Sequence, residues 1–225
     1  MLTGIFKRFY IFTILIFIHE LGHFIAGVSF KWKVDKICIY PYGGCTKFDT
    51  LVNVSYLEEF IVLIMGPVFQ IIFYLLIKNY ISYNDYVILK NYNYAILFFN
   101  LLPIYPLDGG RLFNMLFSLV FPYKKSLYLS IYLSMIIFVF LFIYSKSISY
   151  YIVLFLLFFK LIKEYKNIKY YCNKFLLERY IYKLKFRKIK VIKKIDNFYK
   201  NKSHIIKDKY KYKEEDEYLS KHFNS

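Results

Sequence analysis

The chain has 225 residues, 58% of them hydrophobic and 23% aromatic, with 32 Lys and Arg against 15 Asp and Glu and a net charge of +17. These totals exclude one ordinary soluble domain, in which about half the residues are apolar and charges of both signs are mixed. The apolar residues are concentrated between Phe9 and Phe159, whereas the stretch from Lys160 onward holds twenty Lys and Arg and eight Asp and Glu, so the charge is mainly a property of the tail.

A Lys-rich segment directly after an apolar span reads as a cytoplasmic flank facing anionic lipid, and direct contact with nucleic acid is not expected. Cys38, Cys45 and Cys172 show neither paired short spacing nor an extracellular disulfide pattern. They read as structural thiols in a reduced compartment.

The first apolar run, Phe9 to Phe30, contains His19, Glu20 and His23. At about 1.5 Å per residue it is long enough to cross a hydrocarbon core of about 30 Å. Lys7 and Arg8 precede it as in a signal peptide, but a signal core would not usually hold two histidines and a glutamate, and no small-residue cleavage site follows. Residues Lys31 to Tyr56 are polar and β-branched around Tyr40-Pro41-Tyr42-Gly43-Gly44, which predicts a hairpin-like insertion at the membrane surface.

A second span is expected from Phe60 to Leu76. The region Tyr86 to Phe121 is apolar but interrupted by Asn100, Pro103, Pro106, Asp108, Gly109 and Gly110. It is too long for one straight span and too short for two with a loop, which predicts a broken helix whose freed backbone groups line a cavity. Further spans are expected over Ser126 to Ile143 and Ile148 to Leu161. The expected fold is an all-α polytopic membrane protein with about five transmembrane helices, a broken helix at the active site and a short β-hairpin-like insertion. The basic tail places the C-terminus in the cytoplasm and the N-terminus outside. Lys31, Lys33, Lys36, Lys47, Lys124 and Lys125 then lie inside, and Lys7, Arg8, Lys78, Lys90 and Lys146 outside.

His19-Glu20-Leu21-Gly22-His23 is an H-E-x-x-H sequence on a predicted helix. Its imidazoles share one face at i and i+4 and can reach one Zn²⁺, while Glu20 meets the water to be activated. The five-residue pattern is weak by itself; its setting strengthens it. Ionisable residues inside a span cost about 2.5 to 3.5 kcal/mol each when charged, and a metal compensates them where hydrogen bonds to neighbouring helices are the plainer alternative. A catalytic zinc needs a third protein ligand and an open position. Asp108 is the candidate, as the one acidic residue between Asp85 and Glu164 and a neighbour of Gly109 and Gly110 in the helix break; its alternative role is a helix N-cap.

His19 to His23, Gly66-Pro67 and the run from Asn100 to Arg111, Asn-Leu-Leu-Pro-Ile-Tyr-Pro-Leu-Asp-Gly-Gly-Arg, together resemble the site-2 protease family of intramembrane zinc metalloproteases. Tyr40 to Gly44 and Lys174-Phe175-Leu176-Leu177-Glu178-Arg179-Tyr180 are similar to its sporulation branch, and the resemblance covers about Phe12 to Tyr182. It implies a zinc metalloendopeptidase with His19, His23 and Asp108 as zinc ligands and Glu20 as general base. It also suggests Asn100 as a substrate or oxyanion contact, against an interhelical hydrogen bond as the alternative.

The implied substrate is the membrane-tethered precursor of the late mother-cell sigma factor, cleaved during endospore formation in a bacterial membrane around the forespore. Further partners to expect are the lipid bilayer, inhibitory membrane proteins and a second copy of the chain. Residues 1–165 are expected to be the transmembrane protease domain. Residues 166–225 are expected to be a basic cytoplasmic tail, partly helical or disordered, with no evident CBS domain. Members of the sporulation branch typically carry a span before the metal-binding one; here His19 lies close to Met1, which fits either a five-span form or a misplaced start. The metal would lie about 10 to 16 Å below the cytoplasmic surface, and the Lys31 to Tyr56 hairpin offers a surface on which a substrate adds as a strand.

Three other readings predict different features. A metal-ion transporter would place acidic or histidine residues on several spans, and an inactive regulator would have lost Glu20 or a ligand. A lipid- or nucleic-acid-binding tail anchored by the spans would function without Glu20.

Overall fold

The structure is a computed structural model and describes residues 2–40, 43–49, 51–144, 148–207 and 211–224. The chain divides into two compact units, residues 1–50 with 56–102 and residues 51–55 with 103–225. The second boundary falls in the predicted helix break.

In the first unit, helix α1 (Leu2–Ser29) carries the H-E-x-x-H sequence. Its end is set by Lys31 at φ 61°, whose N–H donates to the Val28 carbonyl at 2.8 Å while the Trp32 N–H donates to the Gly27 carbonyl at 3.0 Å. These bonds form a Schellman closure that satisfies the last helical carbonyls and turns the chain into a hairpin. Strands β1 (Lys33–Tyr40) and β2 (Gly43–Asp49) pair antiparallel, with a bulge between Val34 and Lys36 and with Cys38 opposite Cys45 in register. The predicted insertion is therefore a hairpin, although Pro41 and Tyr42 at its expected centre lie outside the described residues.

Helices α2 (Tyr56–Ile77) and α3 (Tyr83–Leu101) complete this unit. Both pack on α1 around Leu15, Ile16, Tyr74, Leu89 and Ile96. α1 and α2 approach closely because Gly22 has no side chain: a Cβ there would lie 2.2 Å from the Met65 carbonyl oxygen. Ser82 caps α3 and also donates to Asp85, whose other carboxylate oxygen pairs with Lys7 at 2.6 Å.

The second unit starts in the break. Ile104 is fully buried there, and Gly110 lets the loop fold back on the first turn of α4 (Asp108–Val120), since a Cβ on Gly110 would meet the Ile104 backbone at 2.4 Å. Helix α5 (Tyr123–Tyr144) buries Ser126, Ser130 and Ser134 at four-residue spacing. The Ser134 hydroxyl accepts the Tyr105 N–H at 2.8 Å and so ties the loop to α5. Helix α6 (Ile148–Tyr182) runs without interruption from the expected last span into the Lys-rich region. Phe175 and Ile168 on α6 share a core with Tyr123, Leu127 and Ile131 on α5.

After Tyr182, where a partly helical or disordered tail was expected, the chain forms β3 (Ile189–Ile192), a 3₁₀ turn (Ile195–Asn197), β4 (Ser203–Lys207), β5 (Tyr212–Glu214) and α7 (Glu215–Asn224). β3 and β4 are parallel and β5 is antiparallel to β4. Ile192, Phe198, Ile206 and Leu219 join the α5–α6 core. These apolar residues are spaced too irregularly among lysines to form a periodic pattern, because each belongs to a different short element.

Among the described residues, three helices are long and apolar enough to cross a membrane: Phe6–Ser29 of α1, α2 and α5. The remaining two expected membrane regions fall on other helices of the chain: Tyr86 to Phe121 on α3 and α4, and Ile148 to Leu161 on the first part of α6. α3 carries Asn84, Asn91, Asn93 and Asn100 besides Asp85 and Lys90, and the apolar run of α6 gives way to Lys160, Lys163 and Glu164, which sets their composition apart from the other three.

Candidate active site

His19 and His23 lie one turn apart on α1, both buried, and their Nε2 atoms are 3.2 Å from each other. Their tautomers follow from what the Nδ1 atoms meet. His23 Nδ1 lies 2.7 Å from the Val62 carbonyl oxygen, which can only accept, so this nitrogen carries the proton. His19 Nδ1 lies 2.9 Å from Gln70 Oε1. The Gln70 amide orientation is set by its other end, which donates to the Asn93 backbone carbonyl at 3.0 Å and to Asn93 Oδ1 at 3.1 Å. Both imidazoles are thereby held as Nδ1–H tautomers with their Nε2 lone pairs converging.

The surrounding elements explain this placement. Pro67, inside α2, has no N–H for the Leu63 carbonyl; the neighbouring Val62 carbonyl is the one that receives His23. Gly66 provides the space for both rings, since a Cβ there would lie 2.3 Å from His23 Nε2 and 2.9 Å from His19 Nε2. Gln70 and Asn93 are buried in the middle of their helices.

Glu20 is also buried, and its Oε2 accepts the Thr46 hydroxyl of β2 at 2.7 Å. The Asn100 side-chain amide lies 3.4 Å from His19 Nε2. His19, Glu20, His23 and Asn100 are thus all in the first unit and close together. Asp108 is in the second unit, where it occupies the first turn of α4; the cap position considered for it is held by Leu107, which makes no side-chain capping bond.

Two imidazoles with convergent Nε2 atoms, each fixed through its Nδ1, form a donor set that suits zinc. Two acceptors 3.2 Å apart repel each other unless a cation or a shared proton lies between them. The pair therefore fits the metal that the H-E-x-x-H spacing predicts.

The model of peptidase family M50 matches residues 8–84, which include the histidine pair, the hairpin, Gly66-Pro67 and Gln70. Stage IV sporulation protein FB of Bacillus subtilis (strain 168) is 34% identical over 190 residues, covering 80% of this chain and 66% of its own length. The chain belongs to peptidase family M50. Another relative, a zinc metalloprotease of Methanocaldococcus jannaschii, is 29% identical over 126 residues, 52% of this chain and 36% of its own. The solved structure of the site-2 protease from the same archaeon superposes with a TM-score of 0.57 at 26% identity, covering 70% of this chain and 77% of that one. The chain thus spans just under two thirds of the sporulation relative and about a third of the archaeal zinc metalloprotease. Its apolar helices and its relatives make this M50 member a membrane protein.

Gln70, Asn93, Val62 and Thr46 belong to this M50 site but were not expected from the sequence. For Gln70 and Asn93 a signal existed: an amide inside an apolar span needs a partner just as an ionisable group does. For Val62, which contributes only its backbone, and for Thr46, an ordinary strand residue, the sequence holds none.

Proposed function

We propose that the chain is an intramembrane zinc metalloendopeptidase that cleaves a membrane-tethered precursor protein. The observation that carries this reading is the pair of buried imidazoles locked as Nδ1–H tautomers with Nε2 atoms converging and Glu20 alongside. His19 and His23 would hold the metal. Asp108 is our third ligand, supported by its carboxylate chemistry and by its place in the Asn100 to Arg111 motif. Zinc bound there would supply Lewis acidity to the scissile carbonyl and acidify the attacking water.

The chain's own residues do the rest. Glu20 accepts the proton of the attacking water and delivers it to the leaving amine, a role that suits a carboxylate next to the metal-binding pair. The Asn100 amide donates toward the developing oxyanion, consistent with its position beside the metal-facing nitrogen of His19. Gln70 and Val62 hold the imidazole rings so that no reorganisation is needed during the reaction.

The proposed substrate is the late mother-cell sigma-factor precursor, supported by the similarity to stage IV sporulation protein FB. The proposed location is a membrane around the forespore with the basic tail in the cytoplasm. The test is co-expression with a membrane-associated sigma-factor precursor, comparing wild type with Glu20→Gln at equal membrane abundance. Cleavage by wild type and its loss in the variant is expected; equal processing by both would overturn the mechanism.

A further inference from the structure

We infer that Thr46 is a positioning residue for Glu20: its hydroxyl anchors one carboxylate oxygen to the hairpin and leaves the other for proton transfer. The inference rests on the protease reading above. Thr46 and Glu20 are 26 residues apart in sequence and both buried, 6% and 7% exposed. At 2.7 Å the contact has the length of a hydroxyl donating to a carboxylate, whereas the same hydroxyl lies 3.4 Å from the Glu20 backbone carbonyl.

A glutamate has three side-chain torsions, and a general base acts only when its oxygen is aimed, so fixing the carboxylate before the reaction removes an entropic cost from the barrier. The anchor is itself fixed. Phe48 lies two residues further on β2, on the same face as Thr46, and its ring fills the space left by Gly27, where a Cβ would come within 2.4 Å of it. Gly27 is seven residues, or two turns, beyond Glu20 on α1, so it shares that helix face. One strand face thus meets one helix face at two points: Phe48 on Gly27 sets where the hairpin sits, and Thr46 on Glu20 passes that seating to the general base. A valine at position 46 would keep the shape and lose the donor.

The test uses the full chain reconstituted in lipid vesicles with a membrane-tethered sigma-factor precursor, comparing wild type, Thr46→Val, Thr46→Ser and Glu20→Gln. Thr46→Val is expected to lower kcat by about 10- to 100-fold with KM and zinc per chain unchanged, and Thr46→Ser, which keeps the hydroxyl, to restore most of the rate. Wild-type kcat in Thr46→Val would overturn the inference. So would equal damage in Thr46→Ser, a change confined to KM, or a rate loss that follows lost zinc. A wild type that cleaves no faster than Glu20→Gln would instead overturn the protease reading itself.

Discussion

Gln70 shows how one buried amide sets the chemistry of a residue on another helix. Its oxygen accepts from His19 Nδ1 while its NH₂ is held by Asn93, so the amide cannot flip without losing hydrogen bonds at both ends. Gln70→Leu keeps the size of the side chain but leaves the His19 N–H without this acceptor. Zinc affinity, measured by titration against a metal buffer, is expected to fall about 10- to 100-fold, the usual cost of removing a partner of a metal-ligating histidine. Unchanged affinity would show that His19 is oriented by other contacts.

The packing of α1 against α2 depends on two glycines whose substitution should fail in different ways. A methyl on Gly22 meets the Met65 backbone, which cannot move out of the way alone, so Gly22→Ala must force the helices apart. A loss of about 1–3 kcal/mol is expected for such overpacking, seen as a lower thermal midpoint in detergent. A methyl on Gly66 meets the two Nε2 atoms instead. Gly66→Ala is expected to remove zinc binding with a smaller loss of thermal stability. The reverse pattern, with zinc retained by Gly66→Ala and lost by Gly22→Ala, would contradict this division.

On the scale of the whole molecule, the basic C-terminal segment is organised around Arg179, which is 1% exposed. Its guanidinium donates to Asn53 Oδ1, to the carbonyls of Tyr199, Lys200 and Lys202, and to Glu215 Oε1 at 2.7 Å, and it lies over the rings of Phe175 and Phe186. The preceding Glu178 accepts the N–H groups of Val52 and Asn53. Arg179→Leu would leave Glu215 buried without its cation at a cost of about 3–5 kcal/mol. Limited proteolysis should then cut within residues 183–224 while the preceding helices stay intact.

Acid should act on the same elements. Burial keeps the His204 imidazole below the usual histidine range despite its bond to Glu215, and its Nε2 accepts the Tyr199 N–H at 2.9 Å. Burial pushes the Glu215 carboxyl up, but His204 and Arg179 outweigh it and hold the group below the ordinary carboxylate range. Below about pH 6.5 the unfolded chain protonates His204 while the folded chain resists, so stability is lost as pH falls from there. Glu215 contributes stability that is complete above its unfolded value, about 4.3, and is lost as pH falls through its lowered folded value. Amide protection factors over residues 189–207 and 211–224, corrected for the intrinsic pH dependence of exchange, are therefore expected to fall from about pH 7.5 to about pH 4.5; constant protection factors would refute the assignment.

The helix that carries His19, Glu20 and His23, the hairpin after it, a break within Asn100 to Gly110 and the basic character of the tail were legible in the sequence; the break itself spans residues 102–107, and Asp108, Gly109 and Gly110 form the first turn of α4. Each of these is local: a run of apolar residues, a polar and β-branched stretch around Pro and Gly, a cluster of prolines and glycines, or side chains four residues apart on one helix. The tertiary structure alone decided which partners those residues meet. Gln70 reaches His19 across 51 residues, Thr46 reaches Glu20 across 26, and Arg179 reaches Asn53 across 126. A buried polar group must find a partner, but periodicity does not say where that partner is. For His19 and Glu20 the choice is made by close packing at Gly22, Gly27 and Gly66, whose missing side chains bring α1, α2 and the hairpin within hydrogen-bond distance.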